Sequence, residues 1–572
     1  MHSHDAKWST RIVVGLAVVA FAVYFLGSWW GIPTATGPDR VRPWGIDDES
    51  PLGPLSEIHN IIQPKTDQWL SYPLMYYFVT AAAYAPYMLV LFLTGSWTSI
   101  SATYPFGLTD PVNVLRTLTF IAHLVSVVMA TCAVVAIYSA AKTVWDQTTG
   151  VVAGLLALVS FPLIYYARNG NVDAMTMGFV SLATAVYSRM LVAGISLQRA
   201  VLLGVFVGFG LATKESSLGV FIAMPIAILL NHIKSRPEPN RTHANLFKTV
   251  APGALAGVVA FGLGSGLFID PDRYLAHIRY LRSLLELVSQ TESPSVYAYP
   301  YTLSGHYGYL LATGQNLIDA LSTPGLLLAG VGLCLAFKHR PAAGLALLPL
   351  TFLVFSFLSY RLVQVRYLMP VTLLLLPFVA SAIVTFARIP APSVRLVGII
   401  LAVWILGRST LVSIDLTYQM LFDSRYAAAR WLAAQTGDGD SVEFFGPASN
   451  LPALKPGVTA RVATEFRGLY TKPRIDAARA QEIVRSWRER NPKFIIIMPD
   501  YTSHQPAPYS RTLPPQVYQG LEKGEYDYKL VAFFETPALF PWMRKPLLDY
   551  PVVNPPIRIF ASGEMARAIT AN

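Results

Sequence analysis

IVVGLAVVAFAVYFLGSWWGI, residues 12–32, is followed after one short loop by Asp47-Asp48-Glu49. The apolar run is long enough to cross a hydrocarbon layer about 30 Å thick as a helix. The acids that follow are the opposite kind of sequence. A charged side chain costs about 2.5–3.5 kcal/mol at the centre of a membrane helix, so three acids in a row belong at a membrane mouth. A second polar group, Arg168-Asn169-Gly170-Asn171-Val172-Asp173, falls at the junction of two later apolar runs. The two together point to an active site at one face of a bilayer.

The rest of the chain fits that frame. Its 572 residues are 53% hydrophobic and 13% charged, with a mean hydropathy of +0.44. This composition excludes a soluble enzyme with one buried core and implies many membrane spans. The net charge of +11 is spread through loops between apolar runs. It therefore reads as positive-inside topology, with no nucleic-acid partner. Cys132 and Cys334 lie inside apolar segments and imply no disulfide framework. The run 12–32 carries no convincing cleavage site and reads as a retained signal-anchor helix.

Further apolar runs lie at 114–140, 148–166, 174–193, 247–268, 322–337, 342–358, 367–387 and 395–413. Region 200–231 is too long for one span and is interrupted by Lys214-Glu215, so it reads as two short helices meeting there; a broken helix is tolerated where it lines a cavity. The expectation is about eleven spans. With a cytoplasmic N-terminus, the inner loops carry Lys142, Arg189, Arg199, Lys234, Arg236, Arg241, Lys248, Lys338, Arg340, Arg388 and Arg395. Asp47–Glu49, Arg168–Asp173, Lys214-Glu215, residues 269–315 and Arg366 then share the outer side. Residues 72–94 could also span. Pro73, Pro86 and the tyrosines suit an interfacial or re-entrant helix instead, and the topology keeps this segment outside.

After Leu411 the composition changes. Residues 421–434 and Ala477–Arg490 read as amphipathic helices. Gly437-Asp438-Gly439-Asp440 is a turn. Val442–Phe445, Phe494–Met498, Lys529–Phe534 and Ile557–Phe560 read as strands. The expected organisation is an α-helical polytopic membrane domain over 1–413 and a small extracytoplasmic α/β domain over 414–572.

If the cavity holds a lipid phosphate bearing a sugar, a carboxylate must accept the proton of the attacking group, a role worth about 10²–10⁴ in rate. Asp48 or Asp47 can do so. Cations must hold the departing phosphate, and Arg168, Lys214, Arg279, Arg282 and Arg366 are on the right face. Asn171 and Tyr72 join the substrate-binding group. Tyr297, Tyr299, Tyr301, His306 and Tyr307 form an aromatic loop suited to stacking on a sugar, or else an ordinary interfacial belt. Lys214-Glu215 reads equally as an ion pair holding a helix break. No cofactor is required, although clustered acids near a phosphate permit a divalent cation.

The order of these pieces resembles the GT-C class of polyprenyl-phosphate-sugar-dependent glycosyltransferases, in the branch of the protein O-mannosyltransferases and aminoarabinose–lipid A transferases. Asp48-Glu49 looks like the family's Asp-Glu after the first helix. Pro73-Leu74, within Trp69–Tyr77, looks like its Pro-Leu-aromatic segment. Arg168–Asp173, Thr213-Lys214 and Arg366-Tyr367-Leu368-Met369-Pro370 match later motifs, and the likeness covers most of residues 12–390. The resemblance implies that Asp48 is the catalytic base, that Glu49 supports it or binds the acceptor, and that Asp173 is a second acid of the site. It also implies that Arg279 or Arg282 holds phosphate. Two departures matter. Tyr72 stands where the lipid A branch has Lys, and Ser50-Pro51 where that branch has Arg, so lipid A arabinosylation is not the expected activity.

The expected protein is a membrane glycosyltransferase moving a sugar, with inversion, from a polyprenyl-phosphate donor to an extracytoplasmic acceptor. Its site and C-terminal domain would face outward from the cell membrane. A transporter or flippase of lipid-linked saccharides would share the apolar content and broken helix. Against it stand the lack of an inverted repeat, acids at a face rather than the midplane, and the appended α/β domain.

Overall fold

The computed structural model describes residues 2–33, 42–63, 70–101, 103–234, 243–290, 299–359, 361–446, 448–462, 476–499, 508–510, 512–543 and 553–570. Trp69, Arg236, Arg241 and Tyr297 lie outside the described residues. The chain forms two compact units. The first contains residues 1–29, 47–94 and 118–414; the second contains residues 30–46, 95–117 and 415–572.

The helices of the first part of the chain run, in order, α1 His2–Phe25, α2 Leu52–Ile62, α3 Met75–Leu93, α4 Pro111–Val144, α5 Gln147–Leu158, α6 Phe161–Tyr166, α7 Val172–Ala193, α8 Leu197–Leu211, α9 Leu218–Phe221, α10 Ala223–Lys234, α11 His243–Gly264, α12 Pro271–Gln290, α13 Leu303–Leu321, α14 Thr323–Ala336, α15 Arg340–Leu358, α16 Val365–Arg388 and α17 Pro392–Leu421. Among the described residues, six helices are long and apolar enough to cross a membrane, or seven if α13 and α14, bent by 101° at their junction, form one span. The chain is a multi-pass membrane protein. The expected eleven crossings are not reached by length alone, because Gln147–Leu158, Leu197–Leu211 and Lys248–Gly264 are among the apolar helices of 10–17 residues. Met75–Leu93, kept outside the membrane on the sequence reading, is one of the helices long enough to cross.

Local chemistry sets several boundaries. Asp146 caps α5, accepting from the Thr149 amide at 2.8 Å, and Asn171 caps α7, accepting from the Asp173 amide at 3.0 Å. The interruption expected at Lys214-Glu215 is present: α8 ends at Leu211, and a 3-10 turn, Glu215–Ser217, leads into α9. Helices α8 and α11 meet through glycines. A Cβ on Gly204 would lie 1.9 Å from the Gly253 carbonyl oxygen, the close backbone approach that small residues allow between membrane helices.

In the second unit, α18 (Ser424–Gln435) leads to a five-stranded sheet of β1 Ser441–Phe445, β2 Thr459–Val462, β3 Phe494–Ile497, β4 Tyr528–Phe534 and β5 Ile557–Ser562. Helices α19 Ala477–Arg490, α20 Pro515–Glu522 and α21 Gly563–Thr570 complete it. The strand order is β2-β1-β3-β5-β4. β1 is parallel to β2 and β3, and β5 is antiparallel to β3 and β4. Strand β3 is buried on both faces, as a central strand covered by two layers must be. Phe444, Phe494 and Ile496 join one core, and Phe445, Ile495 and Trp487 join the other. Strand β2, which the sequence reading misses, is an edge strand of sequence TARV with half-exposed side chains; it carries too little hydrophobic pattern to be recognised.

Candidate active site

The 47–50 loop is built by its own side chains. Asp47 sits at φ 49°, a left-handed conformation that Asp tolerates better than most residues. Asp48 turns inward. Its Oδ1 accepts from the Ser50 amide at 3.0 Å and the Ser50 hydroxyl at 2.5 Å. Its Oδ2 accepts from the Gly170 amide at 2.9 Å and lies 2.9 Å from His123 Nε2. The Glu49 amide donates to the Gly170 carbonyl at 3.0 Å, and so does the Tyr76 hydroxyl at 2.5 Å. The loop after α1 and the Arg168–Asp173 segment are therefore fastened together. Gly170 permits it, since a Cβ there would lie 2.6 Å from both Asp48 Oδ1 and Ser50 Oγ. Gly170→Ala is expected to displace the loop and to lower turnover by up to about 10²-fold, measured as kcat at saturating donor.

Asp47 turns the other way. Its Oδ2 pairs with the Arg366 guanidinium and accepts from the Tyr72 hydroxyl at 3.4 Å. Arg366 Nη2 donates to the Tyr367 hydroxyl at 2.7 Å, and the Tyr367 ring lies 5.0 Å from Lys214 Nζ. Lys214 Nζ is 2.5 Å from Asp173 Oδ1. One polar group thus contains Asp47, Tyr72, Asp173, Lys214, Arg366 and Tyr367, beside Asp48. Solvent separates the first two acids: the Asp47 side chain is 41% exposed and that of Asp48 0%. Desolvation works against charge on Asp47, but Arg366, and more weakly Lys214 and Tyr72, hold its carboxyl below the usual carboxylate range. Burial, then the charge of Asp47, pushes the Tyr72 phenol well above its ordinary value.

Other residues expected at the site are placed differently. Lys214 and Glu215 do not pair with each other: Lys214 goes to Asp173, and Glu215 Oε1 lies 2.5 Å from His277 Nε2. Arg168 is buried, with Nη2 donating to the Val23 carbonyl at 2.9 Å and Nε to the Tyr24 carbonyl at 3.4 Å; it closes the C-terminal end of α1, where carbonyls favour a cation. Asn171 serves α7 as its cap. Arg279 and Arg282 are exposed on α12, and Arg282 pairs with Glu286 one turn on. The inward cations of α12 are instead Arg273, paired with Glu57 of α2, and His277, which also meets the Leu70 carbonyl at 2.7 Å. Burial lowers the His277 pKa, but its bond to Glu215 and that acid's charge more than offset this and hold it above the ordinary imidazole value. Tyr301 and His306 pack against the end of α15. Tyr301 lies 4.6 Å from the buried Arg361 guanidinium, and His306 packs on Phe357 at 5.2 Å.

Sequence reasoning passes over His123, Arg273 and His277. Lone His123 in an apolar run is the one with a usable signal, since ionisable groups within membrane helices mark sites. Arg273 and His277 are four apart on α12 and so share a face.

Alongside α15 runs an apolar groove of about 490 Å³, lined by Ile222, Leu350, Val354, Phe355, Leu358 and Ser359 among others. No group of three or more His, Cys, Asp or Glu side chains among the described residues could hold a metal ion. Asp48 accepts from Ser50 and Gly170, Asp173 is paired with Lys214, and Asp47 with Arg366.

Residues 113–259 match the family described as dolichyl-phosphate-mannose-protein mannosyltransferase. That segment holds His123, Arg168–Asp173 and Lys214. No curated protein sequence matches the chain significantly. Solved structures similar to it include ArnT from Cupriavidus metallidurans bound to undecaprenyl phosphate (13% identity, 96% of this chain and 98% of that one, TM-score 0.42). The archaeal oligosaccharyltransferase AglB from Archaeoglobus fulgidus, in complex with an inhibitory peptide and a dolichol-phosphate, gives 11%, 98%, 89% and 0.46. The arabinofuranosyltransferase AftD from Mycobacteria gives 14%, 96%, 41% and 0.40. The segment that carries His123, Arg168–Asp173 and Lys214 is thus similar to the dolichyl-phosphate-mannose-protein mannosyltransferase family.

Proposed function

We propose that the protein transfers a sugar from a polyprenyl-phosphate donor to an extracytoplasmic acceptor, with inversion at the anomeric carbon, and that Asp47 is the general base. The carrying observation is one solvent-reached carboxylate, Asp47, in contact with Arg366 and near Lys214. The acceptor O–H gives its proton to Asp47 as its oxygen attacks the anomeric carbon. The bond from that carbon to the phosphate oxygen breaks on the opposite face, and its electrons leave with the polyprenyl phosphate. Arg366 and Lys214 stabilise the charge that develops there.

Asp48, the base implied by the family resemblance, is better suited to hold the loop. A carboxylate that already accepts from Ser50 and Gly170 and is sealed from solvent has no place for an acceptor hydroxyl. The groove along α15 suits the isoprenoid tail. Two of its lining residues, Ser359 and Ile222, lie a few residues along the chain from Arg366 and Lys214 respectively.

A transfer assay with a panel of polyprenyl-phosphate sugars tests the reading. Wild type is expected to transfer from at least one donor, and Arg366→Gln to lose about 10²-fold in kcat/KM. No transfer by wild type from any donor, with the lipid-linked sugar instead moved intact across the bilayer, would overturn it in favour of a flippase.

A further inference from the structure

His123 lies in the first half of α4, with its side chain 1% exposed. Its Nδ1 is 2.6 Å from the Ser28 carbonyl oxygen and its Nε2 is 2.9 Å from Asp48 Oδ2. A carbonyl only accepts, so Nδ1 carries a proton. A neutral ring would then present a bare lone pair at Nε2 to a carboxylate oxygen, which is repulsive. One more proton must sit between Nε2 and Oδ2. The surroundings decide where. Oδ2 already accepts from the Gly170 amide, and Oδ1 accepts from the Ser50 amide and hydroxyl. Donors on every side favour the ionised carboxylate, which leaves the proton on nitrogen.

We infer that His123 is a positioning residue held as an imidazolium, which neutralises Asp48 and pins the 47–50 loop so that Asp47 meets its substrate. The other groups facing the pair are few. Tyr76 and Tyr84 of α3 lie within range of the Asp48 charge. Arg168 lies over Gly27, next to Ser28, and its Nε would be 3.5 Å from a Cβ there. The Arg168 guanidinium donates to the Val23 and Tyr24 carbonyls. The pair does two things. It ties the carbonyl just after α1 to the loop that bears the acids, and it keeps a second full negative charge from standing beside Asp47. The positioning role rests on the transferase reading above, whereas the protonation state does not.

The test has two arms on the full chain in lipid nanodiscs. The first is ¹⁵N NMR of histidine-labelled protein, with the His123 signals identified by their loss in His123→Gln or His123→Asn, whichever folds. Both ring nitrogens are expected to carry a proton, and Asp48→Asn is expected to return the ring to a neutral form. A neutral ring in wild type would overturn the inference, whatever the activity. The second arm is kinetic. His123→Gln is expected to lower kcat by about 10²-fold with KM for the donor changed less than about threefold. An unchanged kcat in a folded His123→Gln protein would refute the positioning role. If wild type transfers no sugar, only the first arm is read, and the protonation state stands or falls on it.

Discussion

Asp47→Asn is expected to lower kcat by about 10²–10⁴-fold, the range for a positioned general base, while donor affinity changes little. The Asn side chain keeps the size and one acceptor oxygen but cannot take a proton. The loss should therefore appear in the chemical step, in single-turnover kinetics with donor bound. The pH dependence follows from the sign of the shift. Arg366 depresses the Asp47 pKa, so the base stays ionised to lower pH than an ordinary carboxylate with a pKa of about 3.9. The acid limb of kcat/KM, which reports the free enzyme, is expected below that value. In the limb of kcat, which reports the complex, donor phosphate competes for Arg366 and the limb is expected to move up. Near-wild-type turnover in Asp47→Asn, with Asp48→Asn inactive and folded, would return the base to Asp48.

Asp423→Ala is expected to destabilise the second unit by about 3–5 kcal/mol, the cost of breaking a buried ion pair from one side. Asp423 and Arg425 are both fully buried, and Arg425 Nη2 is 2.7 Å from Asp423 Oδ2. Asp423 also accepts from the Trp30 indole at 3.1 Å and the Asn554 amide at 2.7 Å. It therefore joins the chain after α1, the start of α18 and the approach to β5 at one carboxylate. Arg425 stacks 3.7 Å from the centre of the Trp44 ring, a cation–π contact that adds to the pair. Removal of Asp423 leaves a guanidinium in an apolar site with Asn450 as a remaining partner. Thermal unfolding followed by tryptophan fluorescence reads the loss. Asp423→Ala combined with Arg425→Met is expected to be less destabilising than Asp423→Ala alone, because no unpaired charge remains. Equal losses would show that the pair acts only through packing.

These two residues mark where sequence reading stops. Arg425 reads as the polar face of an amphipathic helix, because helical periodicity registers polarity without knowing what lies opposite. Its partners Trp30 and Trp44 are almost 400 residues earlier, in a loop that the linear domain boundary at 413/414 assigns elsewhere, whereas residues 30–46 and 95–117 group with the C-terminal unit. The four strands found in the sequence are those with continuous or alternating apolar residues; the edge strand Thr459–Val462 lacks both.

The site was legible in its parts. Asp47–Glu49, Asp173, Lys214 and Arg366 stand out because an ionised group in an apolar chain is costly and is retained only with partners or a task. The roles within the group were not legible. Asp47 and Asp48 are adjacent and chemically identical, and only the turn at positive φ sends one toward Arg366 and the other toward His123 and Gly170. Arg279, Arg282 and Arg273 share one helix, and only its packing makes Arg273 the inward one. Composition and hydrophobic run length by themselves determined a multi-pass membrane chain with a terminal α/β unit, because burial of apolar surface follows local pattern. Which acid is open to solvent, which cation it meets, and which histidine completes the loop were decided by tertiary structure, because hydrogen-bond partners and desolvation depend on segments that meet only after folding.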